Sequence, residues 1–181
     1  MTRYLQSLVI LLLGTVLAIS AVSAQNVTTE ILENAQDYSD RWVTYGKNYG
    51  AWRYMPDDEI NRATVENLRP VWIKQNGVTG GAFEVTALVN DGRMYLTTAN
   101  SHLLVVDPLT GDELWRYDHD FENVDLCCGP HNRGVALYED KVFWGTLDAH
   151  LIAFDAATGI QLWDAEVGDY RESFSVPGAP L

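Results

Sequence analysis

The chain has 181 residues, 12 Lys plus Arg against 25 Asp plus Glu, and a formal net charge of −13 at pH 7. No basic cluster interrupts this acidity, which excludes a nucleic-acid partner, because phosphate backbones reward clustered Lys and Arg. An acidic surface suits a basic soluble partner, or simply solubility.

The first residues, "MTRYLQSLVILLLGTVLAISAVSAQN", begin with a positive charge at Arg3, continue as an apolar run from Leu8 to Ile19, and close on Val22-Ser23-Ala24. That layout predicts a secretory signal over 1–24 with cleavage after Ala24 and a periplasmic or otherwise exported product. The other reading is an uncleaved anchor. The apolar run is nearer a dozen residues than the ~20 of a spanning helix, so no stable membrane span is expected after cleavage. Residues 25–75 form a distinct lead-in. Its stretch 38–72 opens with aromatics and glycines, carries a short helical pattern near Asp58–Leu68, and ends with Leu68 and Trp72 at the threshold of an outer strand.

Residues 76–181 repeat. "GRMYLTTANSHLLVVDPLTGDELW" (92–115) aligns without gaps on "DKVFWGTLDAHLIAFDAATGIQLW" (140–163), with eight of 24 pairs identical at an offset of 48 residues. Asp107-x-x-Thr110-Gly111 and Asp155-x-x-Thr158-Gly159 read as turns, in which the Asp or Thr side chain bonds local backbone and Gly takes a positive φ. Trp115 and Trp163 each follow their Gly by four residues, and each is expected to start the next strand with a large buried ring. "RMYLTT", "HLLVVD", "KVFWGT" and "HLIAFD" are short, apolar and bounded by turn residues, as strands are. His102 and His150 are repeat-equivalent, which suggests a structural position.

One period therefore holds about four strands, and a repeated four-stranded unit of ~40–50 residues is the pattern of a β-propeller. The fold class is all-β, built of four-stranded antiparallel blades. Two similar hairpins in a sandwich are the other reading. Without the leader, 157 residues remain, enough for two blades and part of a third. A closed propeller needs at least four. The expectation is an incomplete portion of a propeller, from the amino-terminal part of a longer protein or a truncated gene, and "SFSVPGAPL" at the end reads as another inner strand.

The two cysteines, Cys127 and Cys128, are adjacent. Neighbouring Cα atoms stand ~3.8 Å apart, less than the ~4.4–6.8 Å of relaxed disulfides, so a bridge there would be strained. Buried free thiols are the other reading. Two adjacent thiols with His131 do not match common zinc-ligand spacings. The 48-residue offset lays "GAFEVTALVN" (81–90) over "GPHNRGVALY" (129–138), so Glu84 falls on Asn132, one place before Arg133. Both segments lead into innermost strands, where side chains can face a propeller axis. Glu84, the cysteine pair and Arg133 are thus expected at one mouth of a channel. A surface ion pair for Arg133, and a solvated strand end for Glu84, are the plainer alternatives.

On these motifs the chain resembles the amino-terminal part of the pyrroloquinoline quinone (PQQ)-dependent alcohol dehydrogenases, eight-bladed propellers. "TYGKNYGAWRYMPDDEIN" resembles that family's opening, "DPLTGDELW" and "DAATGIQLW" its tryptophan-docking turns, "CCGPHNRGVAL" its vicinal-cysteine segment and "FEVTALVNDGRMY" its first inner strand. The resemblance implies a Cys127–Cys128 disulfide packed on one face of the quinone, with Arg133 bonding quinone oxygens and Glu84 bonding the cofactor from the neighbouring blade. Asn132 is expected to support rather than to bind.

It further implies calcium, an alcohol substrate, and electron transfer to a cytochrome or a quinone acceptor. No catalytic residue and no metal ligand is expected within the chain, since the family's Asp base and calcium ligands would lie beyond Leu181. Two departures stand out: Pro177 occupies the place of a cofactor-contacting Thr, so that this contact is lost unless Ser175 substitutes, and Ala87 replaces a Pro. A non-catalytic propeller acting as an envelope scaffold is the competing function.

Overall fold

Among the described residues eight strands form, and they fall into two separate sheets in strict chain order. They are seen in a computed structural model that describes residues 26–120, 126 and 129–181. The expected leader, and both Cys127 and Cys128, lie outside the described residues.

The first sheet is a meander of β1 (Leu88–Asn90), β2 (Arg93–Thr98), β3 (His102–Val106) and β4 (Glu113–Asp118). The second repeats it as β5 (Val135–Tyr138), β6 (Lys141–Gly145), β7 (His150–Asp155) and β8 (Gln161–Glu166). All neighbouring strands are antiparallel. Asp91 and Gly92 both take positive φ (49° and 67°), the turn that a two-residue hairpin prefers because its twist matches that of the strands. The register slips between Val105 and Val106 in one sheet and between Ala153 and Phe154 in the other. The repeat therefore reproduces even the bulge, 48 residues on.

The two sheets share one apolar core. Leu88, Tyr95, Leu103 and Val105 from the first meet Val135, Val142, Trp144, Ile152 and Phe154 from the second, and Trp115 and Tyr117 of β4 pack against them. The lead-in joins this core through Val27, Ala35 and Val43. It is also tied to both sheets by backbone. Val27 exchanges two hydrogen bonds with Glu139 (3.0 and 2.8 Å), and Trp42 exchanges two with Val89 (2.8 Å each).

The expected helix near Asp58–Leu68 does not form. Asn61 and Thr64 side chains take local backbone partners instead: Ala63 N–H donates to Asn61 Oδ1 (2.8 Å), Asn61 N–H to Thr64 Oγ1 (2.9 Å), and Thr64 Oγ1 to the Glu59 carbonyl (2.6 Å). Such bonds compete with helical ones, and a single 3₁₀ turn at Val65–Asn67 remains. The α-helix α1 (Thr29–Glu33) is five residues long, and no described helix is long and apolar enough to cross a membrane.

Each Asp-x-x-Thr-Gly turn is a platform for a tryptophan from the preceding unit. Asp107 Oδ1 accepts from Leu109 and Thr110 N–H, and Gly111 turns with φ 76°. The Trp72 ring lies on it, so close that a Cβ on Gly111 would stand 2.7 Å from Cδ2, and Trp72 Nε1 donates to the Pro108 carbonyl at 3.0 Å. The second turn is built the same way on Asp155 and Gly159 (φ 72°). Trp115 covers that glycine and donates to the Ala156 carbonyl at 3.2 Å. The rings do not begin their strands as expected. Trp115 is the third residue of β4 and half-buried, and Trp163 in β8 is 41% exposed. The burial of each ring depends on a facing turn, and no described turn faces Trp163.

A polar contact also ties the sheets. His119, just past β4, places Nε2 2.9 Å from Asp148 in the β6–β7 turn, and Thr146 Oγ1 donates to the same carboxylate. Burial alone would raise the Asp148 pKa, but these hydrogen bonds outweigh it and hold the group below the usual carboxylate range. The repeat-equivalent histidines open β3 and β7. His150 Nδ1 bonds Asp164 at 2.7 Å, whereas His102 Nδ1 lies 2.7 Å from Asp118 but outside hydrogen-bonding geometry.

Two expected outcomes follow from these contacts. Gly159→Ala adds a ring clash to positive-φ strain and lowers stability by about 3 kcal/mol, while Gly92→Ala, with open space around it, costs about 1 kcal/mol; urea unfolding of both variants checks the difference. Because the folded pKa of Asp148 is lowered, its contribution is complete above the unfolded value of about 4 and is lost as pH falls below it. Asp148→Asn should flatten that acid limb in urea midpoints measured from about pH 5 down to about pH 2.

Candidate functional site

Three extended segments, one before each inner strand position, run side by side. Thr86 N–H donates to the Arg133 carbonyl (3.2 Å), and Arg133 N–H donates to the Pro177 carbonyl (2.9 Å). The first two segments lead into β1 and β5. The third, at 173–181, forms no strand but follows the same path: Val176 N–H donates to the Thr146 carbonyl at 3.0 Å. Pro177 brings no donor to this row, and its carbonyl is what the row uses. Ser175 beside it is half-buried.

Asn132 locks the row together. It is 1% exposed, and its side chain uses both ends: Nδ2 donates to the Gly145 carbonyl (2.8 Å) and lies 3.4 Å from the Val176 carbonyl, while Oδ1 accepts from Gly134 N–H (3.1 Å). Its own carbonyl accepts from Thr97 Oγ1 in β2 at 3.3 Å. The side-chain amide thus connects β6 and the third segment, and the main-chain carbonyl adds β2, a supporting position.

The charged side chains then meet at the ends of these segments. Arg133 Nη2 is 3.2 Å from Glu84 Oε2, with both side chains well exposed (40% and 38%). His131 stands beside them, buried, its Nε2 3.3 Å from Arg133 Nη2 and 3.7 Å from the same Glu84 oxygen. The structure therefore brings Glu84 and Arg133 together from two different sheets, and adds His131. Sequence reasoning had treated His131 only as a partner for the cysteines. The signal that finds it is its spacing: residues two apart on an extended segment share a face, so His131 and Arg133 point the same way.

The lead-in closes one side. Tyr45 lies by Thr86, and the Arg53 guanidinium is 4.6 Å from its ring centroid. The Arg53 and then Thr86 side chains beside the phenol, helped by the charges of Arg53 and Arg133, outweigh the push of burial and hold it below its usual range.

A guanidinium with five fixed donors, partly open to solvent, suits a planar acceptor-rich ligand, and the adjoining carboxylate suits a ligand N–H or O–H. The donor set therefore fits an anionic quinone with ring oxygens and one ring donor. Among the described residues, no group of three or more His, Cys, Asp or Glu is placed to hold a metal ion.

Known proteins share this sequence and fold. The family described as "PQQ: Glucose/ethanol/alcohol dehydrogenase, beta-propeller domain" matches residues 42–165. The dehydrogenase subunit of the quinone-type alcohol dehydrogenase of Komagataeibacter europaeus is 41% identical over 171 residues, covering 89% of this chain and 23% of that protein. The quinoprotein alcohol dehydrogenase PedH of Pseudomonas putida is 38% identical over 173 residues, covering 94% of this chain and 29% of the relative. Among solved structures, the quinohemoprotein alcohol dehydrogenase from Comamonas testosteroni superimposes with a TM-score of 0.79 at 34% identity, over 88% of this chain and 24% of that one. A europium-containing methanol dehydrogenase gives 0.73 at 29% identity, over 84% and 27%. The chain thus spans about a quarter of the length of these relatives, and its two sheets are blades of their β-propeller.

Asn132→Ala leaves Gly134 N–H and the Gly145 carbonyl without their partner and should lower stability by about 2–3 kcal/mol. Urea unfolding measures the loss. Faster hydrogen exchange at the Arg133 amide would show that it is the inner row that loosens.

Proposed function

Because the chain belongs to the PQQ-dependent alcohol dehydrogenase family, we propose that it forms one wall of the cofactor site in an exported quinoprotein that oxidises alcohols. The observation that carries this reading is the meeting of Glu84 and Arg133 at 3.2 Å, on the two segments that lead into β1 and β5. When bound there, the quinone supplies a two-electron acceptor for alcohol oxidation.

The chain's own residues do the holding. Arg133 would donate to acceptor atoms of the ligand, and its permanent charge suits an anionic one. Glu84 would accept from a ligand N–H or O–H. Asn132 fixes the backbone that carries Arg133, and Tyr45 with Arg53 closes the lead-in side. Cys127 and Cys128, as a vicinal disulfide, would offer a rigid plate to one ring face. Calcium, the carboxylate base that takes the alcohol proton, and the cytochrome or quinone that removes electrons belong to the whole protein rather than to the residues described. The leader pattern supports export, which also permits the disulfide.

PQQ titration of the protein expressed from its own gene, followed by quenching of tryptophan fluorescence, tests the reading. Loss of charge-assisted hydrogen bonds should weaken binding about ten- to a hundredfold in Arg133→Leu and about tenfold in Glu84→Gln. Intact-protein mass should lie two units below the reduced value if the cysteines are bridged within one chain. Absence of quinone binding, together with free thiols, would favour the scaffold reading instead.

A further inference from the structure

His131 has no part in the site as read so far, yet its placement is specific. Its ring is buried, and its Nε2 reaches both charged side chains, Arg133 Nη2 at 3.3 Å and Glu84 Oε2 at 3.7 Å. The backbone holds it there by a tight turn, with His131 N–H donating to the Gly129 carbonyl at 3.0 Å. Arg133 can only donate. A hydrogen bond between the two therefore requires a bare Nε2 on His131, which puts the ring proton on Nδ1.

We propose that His131 is a positioning residue of the cofactor site: neutral, it accepts from Arg133 and holds the guanidinium against Glu84, and protonated, it takes Glu84 for itself and sets Arg133 loose. The inference rests on the quinone reading above. Its physics is a change of role at one atom. A protonated Nε2 is a donor facing another donor at 3.3 Å, and it carries a positive charge beside a positive charge. Its favourable partner is then the Glu84 carboxylate, for which Arg133 already competes. Being buried, the imidazolium does not replace Arg133 as a contact for a ligand at the mouth.

Among the described residues, the charged and titratable groups around this point are few. Glu84 faces it from the first segment, Arg133 from its own segment, and Tyr45 with Arg53 borders Thr86 and Arg133 from the lead-in. Histidine is the side chain whose charge ordinarily changes between about pH 5 and pH 8. Affinity for an acceptor-rich anionic ring should therefore fall on acidification, although acid makes the site more positive.

The test is PQQ titration of the protein expressed from its own gene at about pH 8 and about pH 5.5, with His131→Gln and His131→Leu beside the wild type. Gln offers an acceptor near the Nε2 position without titrating in that range. Loss of one charge-assisted hydrogen bond predicts binding about tenfold weaker at the lower pH in wild type, no such change in His131→Gln, and about tenfold weaker binding at both pH values in His131→Leu. Equal pH profiles in wild type and His131→Gln, tighter wild-type binding in acid, or wild-type affinity in His131→Leu at the higher pH would overturn the proposal.

A readout without quinone separates this inference from the reading beneath it. Imidazole ¹⁵N resonances should show His131 Nε2 unprotonated at the higher pH, and its protonation should move to higher pH in Arg133→Leu, where the competing cation is gone and Glu84 remains. If that shift appears and no form binds PQQ, the quinone reading fails while His131 still governs Arg133. If the shift is absent, the coupling itself is wrong.

Discussion

The seating of Trp115 on the Gly159 turn is the contact on which the rest of the arrangement depends. A ring lying flat on a glycine brings one sheet against the backbone of the next at a distance that a single Cβ would forbid. The turn presents that glycine because Asp155 ties down the N–H groups of Ala157 and Thr158, leaving the chain to reverse through positive φ. Trp72 on Gly111 repeats the arrangement one unit earlier. Each blade is thereby set at one spacing and one angle to its neighbour, and the shared core of Trp144, Phe154, Tyr95 and Leu103 fills what lies between.

That spacing has a consequence at the other end of the sheets. With the outer strands held apart by an indole, the inner segments close to hydrogen-bonding distance, and Thr86, Arg133 and Pro177 form one row. Gly145 and Gly134 permit the approach, since a Cβ on Gly145 would run into Val176 and one on Gly134 would press on the Thr86 carbonyl. Asn132 then joins three elements, β6 and the third segment through its buried side-chain amide and β2 through its main-chain carbonyl. The side chains that emerge from this rigid row, Glu84 and Arg133, inherit its geometry. Binding precision at the mouth is in this sense set by packing at the rim.

Much of the fold was readable because its signals are local. The strand segments around 93–98, 141–145 and 150–155 carry their own apolar pattern and turn residues, and β2, β6 and β7 occupy them. The lead-in was read less well. Its helical pattern near Asp58–Leu68 lost to Asn61 and Thr64, whose side chains satisfy backbone groups more cheaply than a short exposed helix could. The buried rings expected at Trp115 and Trp163 turned out unequal, because an indole is buried only where a turn from another unit covers it.

For the site, the 48-residue offset alone placed Glu84 and Arg133 on corresponding segments, while the supporting role of Asn132 came from the family resemblance. Residue order and repeat spacing determine strands, turns and which positions recur, because hydrogen-bonded ladders and positive-φ glycines are properties of a few neighbouring residues. Only the tertiary structure decided that Arg133 meets Glu84, that His131 joins them, and that Asn132 spans three elements. Those contacts link residues up to 49 positions apart, and their distances depend on how closely one sheet packs on the next, a quantity that no local pattern encodes.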